Sequence, residues 1–173
     1  MNNTRYRIIE SPVGFVTIAG DDNDTITGVR MEDQAHPPAG LEDWEPADTA
    51  FQGTVDQLNA YFAGELTEFD VNLRLEGTEF QRRVWAGLVE IPYGETISYG
   101  ELATRIGQPT ASRAVGLANG RNPVSIIVPC HRVIGSTGAL TGYGGGLDRK
   151  RTLLDLERAK REPQLITTER HRA

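Results

Sequence analysis

The residues with the clearest chemical potential are an adjacent cysteine and histidine, Cys130-His131, in the stretch 126–134 (IIVPCHRVI). Cys130 is the only cysteine of the 173-residue chain. The β-branched residues on both sides predict a buried strand, which Pro129 must interrupt because proline has no N–H to donate to a sheet. A free cysteine is often a small buried hydrophobe, but a thiolate beside an imidazole can act as a nucleophile. The residue types alone leave both interpretations open.

The composition argues against several classes of protein. A single cysteine cannot build a disulfide framework or a cysteine-rich zinc site, and three scattered histidines, His36, His131 and His171, do not suggest a metal site. We therefore expect no metal, no cofactor and a reducing, cytoplasmic location. No apolar run is long enough to cross a membrane, and the first five residues are polar, so we expect neither a membrane partner nor a signal peptide.

Charge is distributed unevenly along the chain. The net charge of −6 argues at first against a nucleic-acid partner. However, residues 1–76 carry 4 basic and 15 acidic side chains, whereas residues 77–173 carry 14 basic and 9 acidic ones. The second half therefore has a net charge of +5, which is compatible with binding to DNA. For the first half, a solvated acidic surface is the preferred interpretation.

The first part of the chain predicts strands and one helix. Segments 4–10, 14–19 and 25–31 are rich in β-branched residues and are separated by turn-forming residues, which predicts an antiparallel β-meander. Residues 32–48 predict a loop. Asp48 is the expected N-cap of a helix that extends to about Gly64, and residues 69–75 suggest another strand.

The second part predicts a series of helices. The patterns Thr78-x-x-Gln81 and Ser98-x-x-Glu101 each predict a capping box at the start of a helix. Pro109 suits the first position of a third helix, which extends to about residue 119. Two short helices joined by a glycine-containing turn resemble a helix-turn-helix, although such pairs also occur as ordinary packing units.

The third predicted helix is rich in small residues and carries an arginine, Arg113. Its small residues are Ala111, Ser112, Ala114, Gly116, Ala118 and Gly120. Small side chains allow close approach of the helix backbone, either to another helix or to a nucleic-acid groove. Without further context these two interpretations are equally plausible.

A glycine-rich segment, residues 135–146, follows the cysteine and precedes a last helix from about Leu147. The segment does not match a phosphate-binding loop and is better interpreted as a wing or pocket wall. The predicted fold is therefore α/β (α+β). A small antiparallel sheet with a helix occupies residues 1–76. A helical, winged helix-turn-helix-like domain that carries the cysteine occupies residues 77–161, and a disordered tail occupies residues 162–173.

Taken together, these motifs resemble the O6-alkylguanine-DNA alkyltransferase family, also called methylated-DNA–protein-cysteine methyltransferase. The resemblance depends on Pro129-Cys130-His131-Arg132-Val133 placed between a helix-turn-helix and a glycine-rich wing. It is closest over residues 78–158 and extends more loosely to the helix at residues 55–62. The resemblance implies DNA repair in which an alkyl group moves from O6 of guanine to Cys130 and inactivates the protein after one turnover.

The resemblance also implies roles for individual residues. His131 would relay a proton from Cys130 through a water, Glu157 would orient His131, and Asn122 would be a hinge between the recognition helix and the active-site turn. Tyr99 would help to turn out the nucleotide and would also line the substrate pocket, and Arg113 would fill the gap left in the stacked bases. The remaining positions form a pocket and a DNA surface: Val133, Tyr143 and Gly144 for the pocket, and Ala111, Ser112 and Ser136 for DNA.

The implied partner is double-stranded DNA that contains alkylated bases, bound through its minor groove by a monomer. The nucleotide would be flipped out of the stack, because the target carbon lies inside the duplex. The N-terminal region has no cysteine, which excludes the zinc site that some family members carry there. Gly144 replaces a serine of some relatives, which leaves open the preferred alkyl group and activity on O4-alkylthymine.

Two other functions compete with this interpretation. A DNA-binding damage sensor without chemistry would use the same helix-turn-helix, but non-catalytic relatives replace the cysteine. A thiol hydrolase could use Cys130 and His131, but such enzymes usually bring the two residue types from distant positions in the sequence.

Overall fold

The computed structural model describes residues 4–21, 24–138 and 146–172, with side chains described as far as residue 159. The predicted meander is present as three antiparallel strands: β1 (Arg5–Ser11), β2 (Gly14–Gly20) and β3 (Ile26–Met31). A two-residue strand, β4 (Glu45–Pro46), pairs in parallel with β1, which gives the order β3-β2-β1-β4. Val16 and Ile18 of β2 and Ile26, Val29 and Met31 of β3 are buried on the inner face of this sheet.

The helix α1 (Gln52–Phe62) covers that inner face with Val55, Leu58 and Tyr61, which are all buried. It begins later than expected, because Phe51 and not Asp48 is the N-cap, and Phe51 has a left-handed backbone with φ of 59°. The expected strand at residues 69–75 is reduced to a single bridge between Ile26 and Leu73. The expected loop at residues 32–48 also contains β4 and a short 3-10 helix, Leu41–Asp43.

The predicted capping box at Thr78 is confirmed, and it opens α2 (Glu79–Val89). The Gln81 N–H donates to Thr78 Oγ1 over 3.1 Å, and the Thr78 N–H donates to Gln81 Oε1 over 3.0 Å. The second helix of this part, α3 (Tyr99–Arg105), is capped by Ser98, whose Oγ accepts from the Glu101 N–H. These caps satisfy N–H groups that a helix start otherwise leaves unpaired.

The small-residue helix, α4 (Ser112–Gly120), begins after the expected position. Ala111 is its N-cap, so the prediction of Pro109 as first helical residue is wrong. Trp85 Nε1 of α2 donates to the Ala118 carbonyl oxygen over 2.9 Å, and this hydrogen bond holds α4 against α2. The two helices α3 and α4 pack on each other as a helix-turn-helix arrangement requires.

The segment before the cysteine is buried, as predicted, but it does not form the predicted strand. Residues Ile126, Ile127 and Val128 are buried, but they form a turn in which Ile126 has a left-handed φ of 73°. A 3-10 helix, Cys130–Arg132, follows, and then β6 (Val133–Ile134), which pairs in parallel with β5 (Ile97–Ser98). The cysteine is thus presented by a turn and not by a strand.

The last helix, α5 (Leu147–Arg172), begins at the predicted residue. Leu153 and Leu154 are buried, and Leu153 joins the same apolar core as the sheet and α1, α2 and α4. The expected disordered tail, 162–173, overlaps the helical backbone of α5, which continues to Arg172. The tail as a separate segment and the division of domains at residues 76 and 77 stay predictions. Within the described part, no helix is both long enough and apolar enough to cross a membrane.

Candidate active site

Cys130 is held at the first position of its 3-10 helix and is 4% exposed. Its N–H donates to the Val128 carbonyl oxygen over 2.8 Å. Its own carbonyl oxygen accepts from Asn119 Nδ2 of α4 over 3.3 Å. The backbone N–H and carbonyl group of Cys130 are therefore both fixed, and the carbonyl group is fixed by α4.

Asn122 fixes the turn that leads to the cysteine. Its Nδ2 donates to the Val128 carbonyl oxygen over 2.8 Å, and its Oδ1 accepts from the Val124 N–H over 3.0 Å. Asn122 is 3% exposed. Asn122 follows the end of α4. Its side-chain amide pairs with backbone groups on both sides of the left-handed residue Ile126 and so holds the turn closed.

Replacing Asn122 by alanine is expected to destabilise the fold by about 1–3 kcal/mol, because the buried Val124 N–H loses its partner and the Val128 carbonyl oxygen loses one of its two donors. Asn122→Asp keeps the acceptor for the Val124 N–H but loses the donor to the Val128 carbonyl oxygen. Fewer backbone hydrogen bonds are lost than in Asn122→Ala, but a carboxylate is buried at this position. The measurement is urea unfolding, with Asn59→Ala on the exposed face of α1 as a matched control. Equal stabilities of the Asn122 and Asn59 variants would contradict this role.

His131 and Glu157 form a fully buried pair. His131 Nε2 lies 2.7 Å from Glu157 Oε2, and neither side chain is exposed. A carboxylate can only accept, so Nε2 carries the proton and Nδ1 keeps its lone pair. Nδ1 is buried and has no hydrogen-bond partner among the described residues. His131 can therefore act as a base through Nδ1.

The imidazole of His131 is neutral in the resting protein. Burial lowers its pKa from the ordinary value, and this effect outweighs the hydrogen bond and negative charge of Glu157, which act in the opposite direction. Arg132 and Lys150 lower it further through their positive charges. The base is therefore unprotonated and available when the cysteine must lose its proton.

Glu157 remains an anion despite its burial, because five hydrogen bonds converge on it. Besides His131, Arg132 donates from Nε to Oε1 over 2.9 Å and from a terminal nitrogen to Oε2 over 3.1 Å. The Tyr61 hydroxyl donates to Oε2 over 2.6 Å, and the Gly94 N–H donates to Oε1 over 3.1 Å. Burial alone would raise the pKa of Glu157, but His131 and Arg132 hold it well below its usual range.

Arg132 and Tyr61 are functional residues that the sequence analysis did not assign. Arg132 is 6% exposed and also donates to the Ile91 carbonyl oxygen over 2.7 Å. An arginine within a buried apolar stretch signals a buried carboxylate partner, and this signal was available. Tyr61 falls within the helix predicted for the first part of the chain, and nothing local relates it to a residue 96 positions later.

Lys150 of α5 is another unassigned residue, and it lies close to Val133, Tyr99 and Cys130. It is fully buried, and its Nζ donates to the Val133 carbonyl oxygen over 2.6 Å. Burial lowers the pKa of Lys150 to about 8, and the proximity of Cys130 opposes this shift. Its Nζ lies 6.0 Å from the centre of the Tyr99 ring.

Two of the four predicted pocket residues lie next to each other. Val133 is buried in β6, and the pairing of β6 with β5 brings it beside the start of α3, where Tyr99 is half-buried. A Cβ atom at Gly116 would lie 3.7 Å from the Tyr99 ring, so α4 borders the same region. Tyr143 and Gly144 lie outside the described residues.

The residues expected to contact DNA lie on the surface near α4. Ser112 and Arg113 are exposed at the start of α4, Ala111 is half-buried, and Ser136 is exposed in the turn at residues 135–138. Leu117, which the sequence analysis did not assign, is 74% exposed on the same helix. The helix thus presents small residues, one arginine and one leucine outward.

Two family models match this chain and together span most of it. The first is described as "6-O-methylguanine DNA methyltransferase, ribonuclease-like domain" and matches residues 4–75. The second is described as "6-O-methylguanine DNA methyltransferase, DNA binding domain" and matches residues 79–159.

Similar proteins carry a matching name. A protein of Mycobacterium tuberculosis named methylated-DNA–protein-cysteine methyltransferase is 62% identical over 155 residues, which covers 90% of this chain and 93% of that protein. A protein of Methanosarcina acetivorans with the same name is 54% identical over 154 residues, 88% and 97% of the two chains.

Solved structures agree with these sequence matches. The crystal structure of Mycobacterium tuberculosis OGT in complex with DNA matches with a TM-score of 0.84 and 61% identity, over 90% of this chain and 94% of that one. An O6-methylguanine DNA methyltransferase from Methanococcus jannaschii matches with a TM-score of 0.58 and 29% identity, over 87% and 92%. The mixed fold, with a small N-terminal sheet and a helical C-terminal part, is thus shared with these structures.

Proposed function

We propose a mechanism for this chain from the premise that it belongs to the 6-O-methylguanine DNA methyltransferase family. The chain repairs DNA by transferring the alkyl group of O6-alkylguanine directly to a cysteine of the protein itself, as a methylated-DNA–protein-cysteine S-methyltransferase. Cys130, as the only cysteine, is the acceptor. The observation that carries this assignment is the buried Cys130-His131 pair with an unpartnered Nδ1 and a carboxylate behind it.

The reaction begins when the thiol of Cys130 gives its proton to Nδ1 of His131, directly or through a water. Glu157 stabilises the resulting imidazolium because its carboxylate already accepts from Nε2. The thiolate attacks the alkyl carbon, a carbon–sulfur bond forms, and the carbon–oxygen bond breaks. The electron pair passes to O6 of the base, which leaves as guanine after it gains a proton.

The product is a thioether, which thiol exchange does not reverse. Each protein molecule therefore reacts once. Because the unreacted thiol must stay reduced until then, we place the protein in a reducing compartment such as the cytoplasm.

The partner is DNA, and we propose that one protein molecule approaches an alkylated base from the minor groove. The reacting carbon lies inside the duplex, so the nucleotide must be extruded at a cost of a few kcal/mol. The small outward residues of α4 allow close approach to a narrow groove. Arg113 is exposed on this helix and can occupy the space that the extruded base leaves.

Replacing Arg113 by alanine is expected to slow repair in duplex DNA by about tenfold or more while changing reaction with the free alkylated base less than twofold. The physical reason is that a replacement for the stacked base matters only when a stack exists. The measurement compares single-turnover rates on the two substrates, with Arg105→Ala on exposed α3 as control. Equal losses on both substrates would assign Arg113 a structural role.

The experiment that tests the function is an intact mass measurement after mixing the protein with O6-benzylguanine. An alkyltransferase gains one benzyl group on Cys130. A damage sensor gains nothing, and a thiol hydrolase turns over without a lasting modification. Matched DNA substrates with O6-alkyl groups of increasing size and with O4-alkylthymine then define the substrate range.

A further inference from the structure

The carboxylate of Glu157 has a donor that belongs to the N-terminal half of the chain. The Tyr61 hydroxyl of α1 donates to Glu157 Oε2 over 2.6 Å. The same oxygen accepts from His131 Nε2 over 2.7 Å. A terminal nitrogen of Arg132 donates to it as well, over 3.1 Å. The phenol and the imidazole of the base therefore compete, beside Arg132, for the negative charge of one carboxylate oxygen.

We propose that Tyr61 is a positioning residue that restrains the basicity of His131 by drawing charge from the Glu157 oxygen that both residues share. The proposal rests on the role of His131 as base in the proposed function. Each donor to a carboxylate spreads its charge and weakens its attraction for the next donor. With the phenol in place, Glu157 stabilises an imidazolium less, and Cys130 loses its proton less readily in the resting protein.

The packing of Tyr61 keeps its hydroxyl at the carboxylate. Tyr61 is fully buried, and its ring centre lies 5.5 Å from that of Phe62, 5.4 Å from that of Phe69 and 6.1 Å from that of Tyr93. Burial, and then the charge of Glu157, raise the pKa of Tyr61 far above its ordinary value. The phenol therefore remains protonated and acts only as a donor at every pH at which the protein is folded.

Several other ionisable groups face the Glu157–His131 pair and also influence the basicity of His131. The ionisable side chains around the pair are Tyr61, Tyr93, Cys130, Arg132 and Lys150. Arg132 and Lys150 are cations that belong to the C-terminal half. Among these groups Tyr61 alone comes from the N-terminal half, so it gives that half an influence on the reactivity of the cysteine.

Tyr93 supplies a matched control for Tyr61. Its hydroxyl oxygen is also buried, its ring stands edge-on to that of Tyr61, and it faces the same carboxylate. However, the Tyr93 hydroxyl has no hydrogen-bond partner among the described residues. Tyr61→Phe and Tyr93→Phe therefore remove the same atom from the same neighbourhood, but only the first removes a hydrogen bond to Glu157.

The test measures the rate of reaction of Cys130 with a small thiol reagent as a function of pH. The diagnostic quantity is the ratio of the rate constant at neutral pH to that at alkaline pH, where the thiolate forms without a base. A general loosening of the site changes both rate constants and leaves their ratio unchanged. Tyr61→Phe should raise the ratio about threefold, the effect of half a pKa unit on His131, whereas Tyr93→Phe should leave it unchanged.

An unchanged or lowered ratio in Tyr61→Phe, or an equal rise in Tyr93→Phe, would overturn the proposal. If Tyr61→Phe does not fold, 3-fluorotyrosine at position 61 keeps the ring and hydroxyl but makes the phenol a stronger donor. That substitution should lower the ratio, and a rise or no change would overturn the proposal. Failure of the proposed function would show separately, as no benzyl transfer to the wild-type protein, because the thiol reagent reports on Cys130 whether or not DNA is the substrate.

Discussion

Cys130→Ser is expected to abolish alkyl transfer completely, with no alkyl group gained by intact mass after incubation with O6-benzylguanine or alkylated duplex DNA. The serine hydroxyl is far less acidic than a thiol and its neutral form is a far poorer nucleophile than a thiolate, so it does not attack the alkyl carbon. No second cysteine exists to replace the nucleophile.

The same substitution should leave the fold and the affinity for alkylated DNA nearly unchanged, within about twofold at fixed salt. Cys130 is held through its backbone N–H and carbonyl oxygen, and serine retains both of these groups. DNA affinity is measured by fluorescence anisotropy and stability by thermal unfolding. Detectable alkyl uptake by Cys130→Ser would refute the assignment of the acceptor and, with it, the mechanism.

Glu157→Gln is expected to have the second largest effect, and it acts on both stability and reactivity. The amide replaces one acceptor oxygen by a donor, so it cannot accept from all of Arg132, Tyr61, His131 and Gly94. It also leaves the buried Arg132 without its counter-charge. Breaking a buried ion pair from one side lowers the free energy of unfolding by about 3 kcal/mol. The control is Glu79→Gln, which breaks an exposed ion pair with Arg83 and should lower it by less than about 1 kcal/mol.

The stability difference between wild type and Glu157→Gln should depend on pH in a defined direction. The pKa of Glu157 is lower in the folded protein than in the unfolded chain. The stabilisation from its charge is therefore fully present above the ordinary glutamate pKa of about 4.3 and is lost as pH falls through the folded value. Urea unfolding at a series of pH values should show the two proteins converging in acid, and a constant difference would contradict a buried anion at position 157.

Reactivity should change in parallel. Without the carboxylate, an imidazolium at His131 loses its stabilising charge, so that less thiolate forms at neutral pH. We expect the apparent pKa of Cys130 to rise, transfer from O6-benzylguanine to slow at least about tenfold at pH 7, and activity to recover partly at higher pH. Superimposable pH–rate profiles of wild type and Glu157→Gln would show that Glu157 plays no part in activating the cysteine.

The elements that the sequence predicted correctly are those that depend on patterns within a few consecutive residues. The strands of the meander follow from β-branched residues between turns, and α2 follows from the Thr78 capping box. The turn before the cysteine could not be predicted in this way. A left-handed backbone at Ile126 is unfavourable for a β-branched residue, and only the hydrogen bonds of Asn122 and the buried surroundings make it stable.

Two helix starts, those of α1 and α4, were mispredicted for a related reason. Asp48 and Pro109 are residues with strong helix-start preferences, yet α1 begins after Phe51 and α4 after Ala111. Packing of Phe51 into the core, where it is 3% exposed, outweighs the local preference for an aspartate cap. Likewise Tyr61 reaches Glu157 only through the tertiary fold, so no pattern in a short window identifies it, and the apolar surroundings of Arg132 signal a carboxylate partner without identifying Glu157.

The convergence of donors from distant parts of the chain on Glu157 also sets the order in which the site can form during synthesis. Cys130 and His131 leave the ribosome before Glu157, and at about 5–20 residues per second the delay lasts one to several seconds. During that interval the imidazole lacks its carboxylate, and the cysteine is a thiol without an effective base. A nascent chain therefore carries an unactivated nucleophile, and the sulfur gains its reactivity only when α5 brings Glu157 to His131.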